Sequence, residues 1–272
     1  TGTEVSKEAS DMVLIDDNFS SIVSAVEEGR TIYANMQAFI CFLISCNIGE
    51  ICAIFFATIL GLPEPLTAMH LLWVNLVTDG PPATALGFNP PSPNSMREPP
   101  RPSNEPIMTK WLLVRYMITG LYVGIATIGV YVHHYLKQGI SFRQLSNWSN
   151  CGISWIPPVS IAAADAVVAP ALVCSGLFRD VGRILPQTLS LTTLVCMEML
   201  KALSAVSVND SLLKVGPWKN KWLLVGVSGP FLLHLLVLYS SNIPGLSGFG
   251  KAFGMVRMAA RFCFVLFCFV LF

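Results

Sequence analysis

The chain has 272 residues, 53% of them apolar and only 12% charged, with a formal net charge of +1. A soluble globular chain carries about 25% charged residues, so this composition excludes an ordinary soluble domain and indicates a polytopic membrane protein. The near-zero net charge gives no reason to expect nucleic acid or an acidic polymer as a partner.

Residues 1–19 read as soluble. They lack the basic-then-apolar order of a signal peptide, and a start at Thr1 in mid-segment suggests a piece of something larger. Met12–Ile15 is a short apolar run closed by Asp16, Asp17 and Asn18, which predicts a strand and a turn. From Ser20 the pattern is helical: Ile22, Val23, Val26, Ile32, Tyr33 and Met36 recur at spacings near three and four. No proline interrupts residues 20–60. One helix through them would be about 60 Å long at 1.5 Å per residue, twice a hydrocarbon core of roughly 30 Å. Residues 20–37 are therefore expected to stand outside the membrane as a stalk, and residues 38–60 to form the first span.

After the break Gly61-Leu62-Pro63-Glu64-Pro65, residues 66–88 form a second span with Gly80-Pro81-Pro82 in its middle. Prolines there withhold backbone donors from carbonyls one turn back, which predicts unwound backbone lining a cavity. Residues 89–110 hold seven prolines and three basic residues, Arg97, Arg101 and Lys110, and read as a loop. Residues 111–135 are a third span, anchored by Trp111, Tyr131 and Tyr135. Residues 188–208, 222–239 and 252–272 are further spans. Val159–Phe178 is ambiguous, being rich in Ala and Val yet holding Asp165 and Pro170. Basic residues at 97, 101 and 110 and at Lys214, Lys219 and Lys221 place both of those loops in the cytoplasm by the positive-inside rule. That requires an even number of spans between them and the stalk, so Val159–Phe178 is assigned to loop. The fold class expected is an all-α polytopic transmembrane bundle of about six spans, with a short remnant of a soluble α/β domain at the N-terminus.

The spans carry unusual polar groups. Asn47 and Glu50 lie in the first, Asn75, Thr78 and Asp79 in the second, and Glu198 in the fourth. A carboxylate at mid-span costs roughly 2.5 to 3.5 kcal/mol or more. Asn47 and Glu50 are spaced i, i+3, and Asn75, Thr78 and Asp79 i, i+3, i+4, so each set shares a helical face. Carboxyl, amide and hydroxyl oxygens together suit a hard cation, and three carboxylates suit a divalent one. A structural hydrogen-bond network is the competing account; it explains an asparagine readily but three carboxylates poorly. Of the eight cysteines, Cys41, Cys46, Cys52, Cys196, Cys263 and Cys268 lie in apolar runs and read as small buried hydrophobes. Cys151 and Cys174 flank a loop and would pair if it faced an oxidising lumen. His70 and His234 are lone residues, read as packing or helix-bonding groups.

The runs Asn47-Ile48-Gly49-Glu50, Leu71-Leu72-Trp73-Val74-Asn75-Leu76-Val77-Thr78-Asp79-Gly80 and Ala83-Thr84-Ala85-Leu86-Gly87-Phe88-Asn89-Pro90-Pro91 resemble the fifth and sixth transmembrane helices of the sarco/endoplasmic-reticulum type of P-type calcium-transporting ATPases. Val26-Glu27-Glu28-Gly29-Arg30 and the residues before it resemble the end of that family's phosphorylation domain, and the likeness resumes at residues 194–222 around Met197-Glu198-Met199. The resemblance implies a calcium pump seen from its C-terminal third, with residues 1–19 ending the phosphorylation domain and residues 38–272 forming helices five to ten. It implies that Asn47, Glu50, Thr78, Asp79 and Glu198 build one calcium site. Asn75 and Asp79 would share a second, completed by a helix that this chain lacks. Calcium is then the transported ion. ATP and magnesium would be bound by domains outside this sequence, so the chain alone is expected to be inactive. The partners implied are membrane lipid, the pump's own N-terminal domains and regulatory membrane peptides, in the endoplasmic reticulum or a related endomembrane. A truncated, non-catalytic fragment that binds partner helices is the alternative. Two departures stand out. Lys201 stands one turn after Glu198 where the family usually has Asn, and would pair with Glu198 and weaken it as a ligand. Pro81 replaces a usual Leu.

Overall fold

A computed structural model describes residues 2–15, 18–91, 95–97, 99–100, 102, 106–155, 174, 176–178, 181–205 and 220–240. The described residues are mostly helical, and three helices among them are long and apolar enough to cross a membrane. The chain opens with a five-residue helix, α1 (Glu4–Glu8), capped by the Thr3 side chain. Met12–Ile15 does not form the expected strand. A strand takes its ladder from a neighbour, and the described residues supply none. Asp16 and Asp17 lie outside the described residues, as do residues 252–272, Lys214, Lys219 and nearly all of Val159–Phe178.

The proline-free stretch forms one helix, α2 (Phe19–Ile59), of 41 residues. The Asn18 side chain caps its start by accepting from Ser20 N. Its end is set by Gly61 at φ 65°. There Leu62 N donates to Ala57 O and Gly61 N to Thr58 O, a left-handed C-terminal stop that a side chain would strain. The same device, with Gly139 at φ 83°, ends α5 (Lys110–Lys137). The first half of α2 is largely exposed; from Ala38 onward a stripe of Phe42, Cys46, Gly49, Ala53 and Ala57 is buried.

The second span is helical throughout but changes its winding. An α-turn, α3 (Ala68–Trp73), passes into a π-turn over Val74–Thr78 and then into α4 (Gly80–Leu86). Asp79 N donates to Val74 O across five residues. At the break expected at Gly80-Pro81-Pro82 the chain thus stays helical and widens by about one residue per turn, instead of unwinding into extended backbone. Pro81 and Pro82 have no N–H for the Val77 and Thr78 carbonyls, and a π-bulge inserts the extra residue that such a mismatch needs. It also turns Thr78 and Asp79 inward together, both fully buried.

Helix α5 packs along α2 on Gly120 and Gly124. A Cβ on Gly120 would lie 2.6 Å from Ile48 Cγ2, and one on Gly124 2.8 Å from Cys52 Cβ. This is the small-xxx-small contact that lets membrane helices touch backbone to backbone. After α5 come α6 (Phe142–Ser146) and a Cys151–Cys174 disulfide. Tyr135, Trp148 and Trp155 gather around Phe178 beside that bond.

The fourth expected span begins earlier than its apolar run suggests, as α7 (Val181–Ser204). It is not among the three helices apolar enough to cross a membrane by composition. Ser190, Thr188 and Thr193 return their hydroxyls to carbonyls of their own helix, and nearly every side chain from Gln187 to Ala205 is buried or half-buried. Wrapped by α2, α4, α5 and the last described helix, α8 (Lys221–Ser240), α7 meets protein and not lipid, so it tolerates polar residues that a lipid-facing helix would not. Asn220 starts α8 by accepting from Leu223 N, and its amide donates to Ala85 O and Asn89 Oδ1. Asn35 on α2 donates to the Gly87 and Asn89 carbonyls. Two asparagines from distant helices thus satisfy the end of α4.

Candidate cation site

The π-turn, the buried stripe of α2 and the centre of α7 converge on one polar cluster. Asp79 and Glu198 are fully buried, and with the Cys46 thiol they offer one ligand atom each, all within 4.8 Å of one another. Among the described residues neither carboxylate has an N–H or O–H hydrogen-bond partner; the thiol of Cys46 lies against Asp79. Thr78, also fully buried, leaves its hydroxyl unbonded. Glu50, 6% exposed, is held by Asn75, whose amide donates to Oε1 at 3.0 Å and Oε2 at 2.8 Å. Glu50 and Lys201 both lie within electrostatic reach of Asp79 and Glu198.

Of the six residues singled out in the sequence, Asp79 and Glu198 meet in the interior, Glu50 is buried within electrostatic reach of both, and Thr78 is buried next to Asp79 along the chain. Asn75 joins them at the rim, exposed on its outer side. Asn47 is exposed and returns its amide to Leu43 O of its own helix at 2.9 Å. Spacing of i, i+3 brought Asn47 near the Glu50 face but one position off it. Cys46 was read as a core hydrophobe, yet it sits among the carboxylates. Its place i, i+4 from Glu50, on the same stripe as Phe42 and Gly49, is the signal that marks it.

The expected pairing of Lys201 with Glu198 is electrostatic and not a hydrogen-bonded contact: among the described residues Lys201 Nζ and the Glu198 carboxylate each lack a hydrogen-bond partner, while the ammonium lies within electrostatic reach of the carboxylate. At i, i+3 the two side chains leave α7 at different angles, Glu198 toward Cys46 and Asp79, Lys201 toward a cavity beside Arg115 and Tyr116. His70 completes a capping box with Thr67 at the start of α3, and His234 bonds Thr192 at 3.1 Å, so both serve the helices.

A buried cluster of carboxylates without N–H or O–H partners is unfavourable by several kcal/mol per charge unless a cation or protons compensate it. Calcium takes oxygens at 2.3–2.6 Å, so ligand atoms on opposite sides of the ion lie about 4.6–5.2 Å apart. The ligand atoms of Asp79, Glu198 and Cys46 lie within 4.8 Å of one another, close enough for one ion to touch both carboxylates. The carboxylate, hydroxyl and amide groups are the right donors for a hard ion; a thiol is not.

Residues 63–272 match the family described as Cation transporting ATPase, C-terminus. Calcium-transporting ATPase 2, endoplasmic reticulum-type, of Arabidopsis thaliana is 46% identical, over 97% of this chain and 26% of that protein. Calcium-transporting ATPase 4, endoplasmic reticulum-type, of the same plant is 45% identical over 95% and 25%. A calcium-transporting ATPase of Plasmodium falciparum is 45% identical over 98% and 21%. The chain spans about a quarter of the length of these relatives. With most of its length matched, the chain belongs to the cation-transporting ATPase family and corresponds to its C-terminal, membrane-spanning part.

Proposed function

We propose that this chain is the cation-carrying membrane part of a P-type pump that moves calcium out of the cytosol, in the endoplasmic reticulum or a related endomembrane. The observation that carries the reading is the buried pair Asp79 and Glu198, unbonded by any N–H or O–H among the described residues and close enough for one ion to bridge. Glu50, Thr78 and Asn75 add oxygens from two sides. Asn47 and the outer face of Asn75 are exposed, which fits a second site completed by a helix from elsewhere in the pump. ATP and magnesium would act in domains outside this sequence, with α2 as the rod that carries their motion to Glu50. Six spans are proposed, with the Lys110 end of α5 in the cytoplasm and the Cys151–Cys174 loop in the lumen.

The test is Asp79→Asn in the full-length pump. Asp79 lies at the junction of the π-turn and α4, between Glu50 and Glu198. Loss of calcium-dependent phosphorylation from ATP is the expected outcome. Phosphoenzyme formed at ordinary micromolar calcium would overturn the assignment.

A further inference from the structure

Lys201 has no task among the oxygen ligands, yet it is buried beside them. It stands three residues beyond Glu198 on α7 and is 9% exposed. Its ammonium lies within electrostatic reach of Glu50, Asp79 and Glu198. Among the described residues it has no hydrogen-bond partner. Lys201 also borders a cavity of about 50 Å³ between α2, α5 and α7, lined by the hydroxyls of Ser45, Thr119 and Ser204. Thr119 and Ser204 donate to backbone carbonyls, which leaves their oxygens able to accept. Ser45 Oγ is buried and, among the described residues, unbonded. A flexible lysine stem thus has carboxylates within reach on one side and hydroxyl acceptors on the other, with a fixed bond to neither.

We propose that Lys201 is a resident counter-cation of the calcium site, which balances one of the three carboxylate charges and competes with calcium for them. The proposal rests on the calcium reading of Asp79 and Glu198. Three ionised carboxylates would leave three negative charges in a buried space; with the ammonium the cluster carries two, the charge that one divalent cation cancels. Lys201 therefore stabilises the cluster when calcium is scarce. It also lowers the affinity for calcium, because part of the negative field is already neutralised. A tight salt bridge would resist the exchange, whereas an ammonium without a bonded partner has none to break, and the cavity gives it room to withdraw. A lysine with no tie to the carboxylates has the opposite signature: a buried lone cation destabilises the fold, and an uncharged side chain of similar length relieves it.

The experiment compares the full chain, purified in non-ionic detergent, with Lys201→Met, Lys201→Arg, Asp79→Asn and the double variant Lys201→Met with Asp79→Asn. Calcium affinity is read by equilibrium binding of radioactive calcium, and melting temperature is read in chelator. Lys201→Met should bind calcium about fivefold or more tighter than the parent, and should melt earlier in chelator. Lys201→Arg keeps the charge and should stay within about twofold of the parent affinity. In the Asp79→Asn background the loss of melting temperature from Lys201→Met should shrink, since one charge of each sign has gone. If Lys201→Met folds only with calcium, the double variant should fold without it. Unchanged or weaker calcium binding in Lys201→Met, later melting in chelator, an undiminished loss in the Asp79→Asn background, or a double variant that also fails to fold overturns the proposal. Absence of calcium binding by the parent chain overturns the calcium reading instead, and the melting temperatures in chelator still decide whether Lys201 serves the carboxylates.

Discussion

At the level of single residues, burial without an N–H or O–H partner among the described residues is what sets Asp79 and Glu198 apart. Each charge is stabilised by an incoming cation and destabilises the empty protein, so neutral variants separate the two effects. Asp79→Asn and Glu198→Gln should each raise the melting temperature of the calcium-free chain. Both should also remove the stabilisation that calcium gives, about 2.7 kcal/mol in the parent chain at 100 times Kd. Thermal unfolding with chelator and with calcium checks both signs; a variant that melts earlier without calcium would mean that the carboxylate has a structural partner. Glu50 differs, because Asn75 already holds it with two hydrogen bonds. Since Lys201 makes no hydrogen bond to Glu198, the Glu198 charge remains available to an ion. Glu198→Gln in the full-length pump should therefore weaken calcium affinity at least as much as Glu50→Gln. A clearly smaller loss in a calcium titration would make Lys201 the counter-ion of Glu198 in particular.

Among the elements, the contact of α2 with α5 fixes the height of Glu50 relative to the rest of the bundle. Gly124 has backbone of α2 at its surface: a Cβ there would lie 3.0 Å from Ala53 N and 2.8 Å from Cys52 Cβ. Gly124→Ala should cost about 1–3 kcal/mol through overpacking. Gly129, on the same helix with nothing within 4 Å, is the control, and Gly129→Ala should leave stability unchanged or up to about 1 kcal/mol higher. Chemical unfolding of both variants in detergent reads the difference. Equal effects would mean that α2 and α5 do not close on these glycines. The π-turn is the other decisive element. The prolines at 81 and 82 forecast a disturbed helix, but whether it unwinds or stays helical through a π-turn depends on what surrounds it, and here Asn220, Asn35 and α7 hold α4 in helical register.

For the whole molecule, the cap that carries the Cys151–Cys174 bond ties α5 to α7. The Cys151–Cys174 bond closes a loop of sequence separation 23 under an aromatic cluster. In the chain-entropy account such a loop contributes about 3 kcal/mol. Chain inserted into microsomes should resist labelling at both cysteines by a thiol reagent until a reductant reaches the lumen. Cys151→Ser with Cys174→Ser should melt earlier by that order. Labelling before reduction, from the cytoplasmic side, would invert the proposed orientation.

Much of this arrangement was legible in the chain itself. Composition pointed to a membrane protein, the absence of proline over residues 20–60 with its helical periodicity allowed one long helix, and carboxylates in apolar runs named Glu50, Asp79 and Glu198. Those features are local: they follow from hydration cost and backbone chemistry wherever the residues end up. Other features needed three dimensions. Asn47 sits one helical position off the buried stripe and faces outward, while Cys46 joins the acids, because side-chain direction on a helix is settled by which neighbour covers which face. Lys201 turns from Glu198 to the cavity of Arg115, since a difference of three residues along α7 becomes a difference in angle only once α2 and α5 are packed against it. The polar α7 escapes a search for apolar spans for the same reason: its solvent is the protein around it, and no window of sequence records that.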